Sequence, residues 1–154
     1  ELDKHESLPR DRHPDYPELL LVTNKPNPDG TPSEMFMHYI GGLQRYIPAA
    51  MVLVAPYVNS YRRLSRNTAA PINIEWGYDN RTVGIRSPIS SPQARRVENR
   101  VIGADANPYL AIAASLAAGL HGMEQALSPT AAVDDKWLAT PIGPYLKKVI
   151  AATR

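Results

Sequence analysis

Apolar and polar positions alternate along this chain in two different rhythms, and each predicts its own kind of element. After Thr31-Pro32-Ser33-Glu34, Met35, Phe36, Tyr39, Ile40 and Leu43 recur at helical spacing. The start carries a capping hydroxyl and a proline suited to a first turn, and Gly41-Gly42 implies close packing or a bend. Tyr46 to Val54 is a second helical run, apolar all round and therefore expected in the core, with Pro56 ending it. Ile72 to Tyr78 changes to a period of two, placing Ile72, Ile74, Trp76 and Tyr78 on one apolar face. Asp79-Asn80 reads as a two-residue hairpin turn into a strand over Arg81 to Ser87. Strict alternation there puts Arg81 and Arg86 on opposite faces unless Gly84 marks a bulge.

A third strand is expected from Ala94 to Val101, after the turn between Pro88 and Pro92. Asn107-Pro108 then opens a long helix, ANPYLAIAASLAAGLHGMEQA, whose small residues predict tight, buried packing. The pattern predicts an α+β fold: an antiparallel sheet of 72–78, 81–87 and 94–101 backed by helices near 33–54 and 105–125. Residues 1–32 are polar and rich in proline, with only Glu18 to Thr23 able to make a short strand or helical turn. A tail follows the long helix over 126–154, with one helix expected from Tyr145 to Ala152.

Composition narrows the classes of function. With 154 residues and 44% apolar content, the chain suits one domain with a respectable core. The absence of cysteine excludes a disulfide framework, a thiol nucleophile and a Cys-based zinc site, and suits a cytoplasmic protein. No apolar run reaches membrane-spanning length, and the opening ELDKHESLPRDRH is unlike a signal peptide. With no initiator methionine, the chain is expected to be a fragment or a processed product. Its 15 prolines imply short elements and many loops. His5 and His13 read as solvated loop residues and His38 as a packing residue, not as metal ligands.

Charge changes the picture locally. Net charge is only +2, yet Arg62, Arg63, Arg66, Arg81, Arg86, Arg95, Arg96 and Arg100 fall between positions 62 and 100 without one lysine. Arginine used alone suggests planar, bidentate recognition of an anion. Period-two spacing puts Arg96, Glu98 and Arg100 on one face, with Arg95, Val97 and Asn99 on the other. A carboxylate so flanked can hold a divalent ion while guanidiniums grip phosphate or carboxylate oxygens. The competing reading is a surface arginine–glutamate ladder. An RNA-binding module is a further rival, with Tyr57, Tyr61, Trp76 and Tyr78 as stacking surfaces, but it requires exposed aromatics and the 72–78 pattern buries two of them.

HYIGGL (38–43), NSYRRL (59–64), NRTVGIR (80–86), ARRVENR (94–100) and GADANPYLAIAASLAAGL (103–120) together resemble the glutamine synthetase family. Their order and spacing match the C-terminal half of its catalytic domain, over about residues 33 to 125. The resemblance implies an ATP-dependent ligase that needs Mg²⁺ or Mn²⁺, joins glutamate to an amine through γ-glutamyl phosphate, and assembles as a homo-oligomer of stacked rings, with no nucleic acid or membrane partner. By motif, Glu98 resembles a metal ligand, Arg81 and Arg86 the arginines on the nucleotide phosphates, and Arg63 and Arg100 those holding glutamate's carboxylates. Arg96 matches an active-site arginine, and Gln93 stands where a nucleotide-side lysine is expected.

Thr68-Ala69-Ala70-Pro71 replaces a loop whose glutamate helps deprotonate ammonium in ammonia-using members. Ala69, WGYDNRT and ARRVENR instead resemble the γ-glutamyl-polyamine (putrescine) ligases. Motifs for the family's other metal ligands do not occur in residues 1–37, so the chain by itself is expected to be incompetent. A truncated, non-catalytic member acting as an assembly or regulatory piece is the alternative.

Overall fold

The computed structural model describes residues 27–64 and 70–133. The expected elements at 18–23 and 145–152, the histidines at 5 and 13, Arg66 and Ala69 lie outside them. Among the described residues there are three α-helices, α1 (Glu34–Tyr46), α2 (Met51–Val54) and α3 (Pro108–Glu124), and three short strands, β1 (Trp76–Tyr78), β2 (Ile85–Ser87) and β3 (Glu98–Asn99). Two 3₁₀ turns, Val58–Arg62 and Pro92–Ala94, interrupt the loops. The fold is α+β, and none of these helices is long and apolar enough to cross a membrane.

Both long helices start as their sequences dictate. The Ser33 hydroxyl accepts from the Phe36 N–H at 3.2 Å. Asn107 Oδ1 accepts from Tyr109 N at 3.0 Å and Leu110 N at 3.4 Å, with Pro108 at the first helical position. The expected second helix is shorter than 46–54. Pro48 has no N–H to continue the ladder, so 47–50 form turns and only 51–54 are helical. Nor is that run buried all round: Ile47 and Val54 are in the core while Val52 faces solvent.

Gly41-Gly42 serves close packing, since α1 runs through both without interruption. A Cβ on Gly42 would lie 2.2 Å from the Ala118 carbonyl oxygen, and one on Gly122 would lie 2.4 Å from Gly42 Cα. The backbones of α1 and α3 therefore touch where they cross. The core is Phe36, Ile40, Leu43, Ile47 and Val54 against Trp76, Ile85, Val101, Ala111 and Ala118. One face of α3 joins it. Tyr109, Leu110, Ile112 and Leu120 are exposed, so the expectation of a buried helix holds for one face only, because the other described elements cover only one side.

The sheet is mixed, not antiparallel. β1 and β2 run parallel, and β2 and β3 antiparallel, in the order β1-β2-β3. The expected two-residue hairpin is absent. A type I′ turn needs positive φ at both central residues, and Asp79 has it (49°) while Asn80 does not. Asn80 is buried instead, its Oδ1 accepting from the Thr82 N–H at 2.8 Å and hydroxyl at 2.7 Å. Asn73 Oδ1 accepts from Glu75 N at 3.1 Å and Gly84 N at 2.9 Å, and its Nδ2 donates to the Thr82 carbonyl at 2.9 Å. These side chains loop the chain back so that β2 runs beside β1 in the same direction. Gly84 serves a close backbone approach: a Cβ there would lie 2.1 Å from the Asn73 carbonyl oxygen.

Two further expectations fail in the strands. Tyr78 is exposed while Trp76 and Gly77 are buried, so the even-numbered apolar face does not persist to its end. The third strand covers only residues 98–99, because Pro92 seeds a 3₁₀ turn and Arg95–Val97 have no strand partner. Residues 127–133 return across α1 to β1. Trp76 Nε1 donates to Thr130 O at 2.6 Å, and Val133 N to Trp76 O at 2.8 Å.

Candidate functional site

The arginine cluster forms where β2 and β3 pair. Their register places Arg86 directly opposite Glu98. Arg86 Nη1 donates to Glu98 Oε2 at 3.0 Å, and Arg86 Nη2 pairs with Asp79, just beyond β1. The other Glu98 oxygen faces Arg96 Nη2 at 3.5 Å. One carboxylate thus sits between two guanidiniums, as the spacing predicts for Arg96, while the partner across the sheet is one that spacing does not reveal. The Asp79 contact, first, and Glu98 hold the Arg86 guanidinium above its usual pKa against the effect of burial.

Arg100 lies beside this pair but is directed elsewhere. Its N–H donates to Gly84 O at 2.8 Å, and its Nη1 donates to the Arg81 carbonyl and, at 3.2 Å, to that of Val83. Burial, and then the neighbouring guanidiniums of Arg86, Arg81 and Arg63, push its pKa below the usual value, with Glu98 opposing them. That combination marks a locally crowded positive field, the kind an anionic ligand relieves.

Arg63 approaches from the 3₁₀ turn of residues 58–62. Its Nη2 donates to the carbonyls of Arg100 and Ile102, both at 2.8 Å, and its Nη1 to that of Val101 at 3.2 Å. The turn is itself tied down, since the Ser60 hydroxyl donates to Asp105 at 2.5 Å and accepts from Tyr57 N at 3.0 Å. Arg63 therefore grips the backbone that leaves Arg100, a contact three successive carbonyls make possible and no motif spacing announces.

The structure brings Arg63, Arg86, Arg96, Glu98 and Arg100 into one neighbourhood. Arg81 belongs there too: its carbonyl accepts from Arg100, and its guanidinium, on an exposed residue, adds to the positive charge felt by Arg100. Gln93 falls in the second 3₁₀ turn. Asp79 is the member that sequence reasoning misses, because Asp-Asn reads locally as turn chemistry while its pairing with Arg86 depends on the fold. Among the described residues, no group of three His, Cys, Asp or Glu side chains comes together as a metal site. The aromatics needed for nucleic-acid stacking are split, with Trp76 in the core and Tyr57, Tyr61 and Tyr78 exposed.

Comparison with known proteins gives a consistent family. The profile described as "Glutamine synthetase, catalytic domain" matches residues 21–146. A glutamate–isopropylamine ligase of a Pseudomonas species is 40% identical over 133 residues, 86% of this chain and 28% of that protein. The gamma-glutamylputrescine synthetase of Escherichia coli is 43% identical over 99 residues, 64% of this chain and 21% of that protein. A glutamine synthetase of a Nostoc species is 42% identical over 104 residues, 66% of this chain and 22% of that protein. The matched part thus spans between a fifth and somewhat over a quarter of these relatives' length.

Proposed function

The chain belongs to the glutamine synthetase family, and from that premise we propose that it supplies the arginine-rich anion grip of an ATP-dependent glutamate–amine ligase. In the reaction proposed, an oxygen of glutamate's γ-carboxylate attacks the terminal phosphorus of ATP and ADP leaves. The amine nitrogen then attacks the γ-carbonyl carbon, expels phosphate and loses a proton. Charge moves over phosphoryl oxygens in both steps, so preorganised cations do most of the work. Arg86, with Arg81 and Arg96, is proposed for the nucleotide phosphates, and Arg100, steadied by Arg63, for a glutamate carboxylate. The observation that carries this reading is the Arg86–Glu98 register, which with Arg96 sets two guanidiniums on one carboxylate.

The described residues do not fit a divalent-metal centre. Both Glu98 oxygens already face arginines, and among the described residues no group of three His, Cys, Asp or Glu side chains forms around them. A metal at Glu98 requires ligands from beyond these residues. The same observation favours, as a second reading, a non-catalytic assembly or regulatory piece. The exposed apolar face of α3 suits burial by further protein, in keeping with an oligomer of stacked rings in the cytoplasm.

The acceptor we propose is an organic amine. Ala69 stands where ammonia-using members carry a glutamate, which leaves the site with one negative charge fewer and more room. The similar proteins include ligases of both kinds. The test is glutamate-dependent phosphate release from ATP with Mn²⁺, measured for the full-length protein and for the 154 residues alone, with putrescine, isopropylamine or ammonium. Turnover is expected only at full length, and Arg86→Gln should lower kcat/KM by about 10²- to 10³-fold. No turnover at full length with any of these amines would favour the non-catalytic reading.

A further inference from the structure

Arg86 has both terminal nitrogens occupied, by Asp79 and by Glu98, and these two partners are not equivalent. Glu98 is held from two sides: it lies opposite Arg86 in the ladder and also faces Arg96. Asp79 belongs to no strand. Its backbone is fixed separately, by a φ of 49° that Asp and Asn tolerate and by an N–H donated to Ser87 O at 3.0 Å. Its carboxylate can therefore turn away at the loss of the Arg86 pair alone, whereas Glu98 would give up Arg96 as well. It is also the more exposed partner, at 46% against 32% for Glu98, while the Arg86 side chain is only 17% exposed.

Positive φ alone does not call for an acid, because asparagine serves it equally well. The charge at position 79 acts on Arg86. We propose that Asp79 is an internal stand-in anion: its carboxylate occupies the seat beside Arg86 that a polyphosphate oxygen takes on binding, and so sets the affinity of the site. With the seat filled, Arg86 stays neutralised and aimed before an anion arrives. An incoming polyphosphate must displace Asp79, so the acid lowers affinity while preserving geometry. This inference rests on the reading of Arg86 as a phosphate-gripping residue.

Binding of inorganic tripolyphosphate and of ATP to the full-length protein, followed by calorimetry without metal, tests it. Asp79→Asn keeps the backbone preference and removes the charge, and is expected to tighten tripolyphosphate binding by about threefold to tenfold. Asp79→Gly, which adopts positive φ without cost, should do the same and guards against an effect peculiar to the amide. In an Arg86→Gln background the gain should vanish. An equal gain in that background would mean long-range charge and would overturn the proposal, as would unchanged affinity in both Asp79 variants while Arg86→Gln weakens binding. If Arg86→Gln leaves binding intact, the phosphate-grip reading itself is wrong and the inference falls with it. A gain for ATP but not for tripolyphosphate would place Asp79 against the nucleoside, and would also overturn it.

Discussion

Replacing Arg63 with methionine keeps the apolar stem and removes the guanidinium, leaving the carbonyls of Arg100, Val101 and Ile102 without their donors. A hydrogen bond from a charged donor contributes about 1.5–3 kcal/mol net. The three bonds share two nitrogens and do not add fully, so we expect a local loss of about 2–4 kcal/mol. The segment concerned is pinned at both ends, by Arg100 N to Gly84 O and Gly103 N to Val54 O, each at 2.8 Å. Native-state hydrogen exchange of these two amides should accelerate by about 30- to 1,000-fold, at 1.36 kcal/mol per decade. Amides in the middle of α3 serve as the internal control. Arg63→Lys, a point charge that cannot bridge three carbonyls, should fall between wild type and methionine. Unchanged protection at Arg100 and Gly103, together with a large loss of glutamate affinity, would refute the backbone clamp and leave Arg63 acting on substrate alone.

Gly42→Ala forces a methyl to within 2.2 Å of the Ala118 carbonyl oxygen, so the helices must part by about 1 Å. Thermal unfolding should show a loss of about 2–4 kcal/mol, and an unchanged midpoint would contradict the close α1–α3 crossing. Glu98→Gln removes the counter-charge of Arg86 and Arg96. Because the pair is partly exposed, stability should fall by only about 0.5–1 kcal/mol, and 0.5 M salt should restore most of it; a salt-independent loss would point to a role other than charge. Ala69→Glu should raise kcat/KM for ammonium relative to putrescine in a competition assay, since a carboxylate over the acceptor attracts the cation and can take its proton. A wild-type preference for ammonium would remove the basis for an organic acceptor.

The helices at 34–46 and 108–124, with Ser33 and Asn107 as their caps, are legible in the sequence because caps and i→i+4 bonds lie within one short window. So is the arginine-only chemistry between positions 62 and 100, with Glu98 at its centre, and so are the motifs that place the chain in its family. Strand direction is not legible in this way. Asp79-Asn80 suits a hairpin locally, but Asn73 reaches Thr82 and Gly84, and Asn80 Nδ2 reaches Val133 O at 3.2 Å. These long-range bonds to buried backbone outweigh a local turn preference, because leaving such groups unpaired costs more than the turn gains. The charge of Asp79 on Arg86 follows from that fold-back, while the register that sets Arg86 against Glu98 and the three carbonyls under Arg63 come from contacts with residues 98–102. Residue type and spacing therefore identify which side chains carry chemistry, while their partners are chosen by backbone hydrogen bonds between segments far apart in the chain.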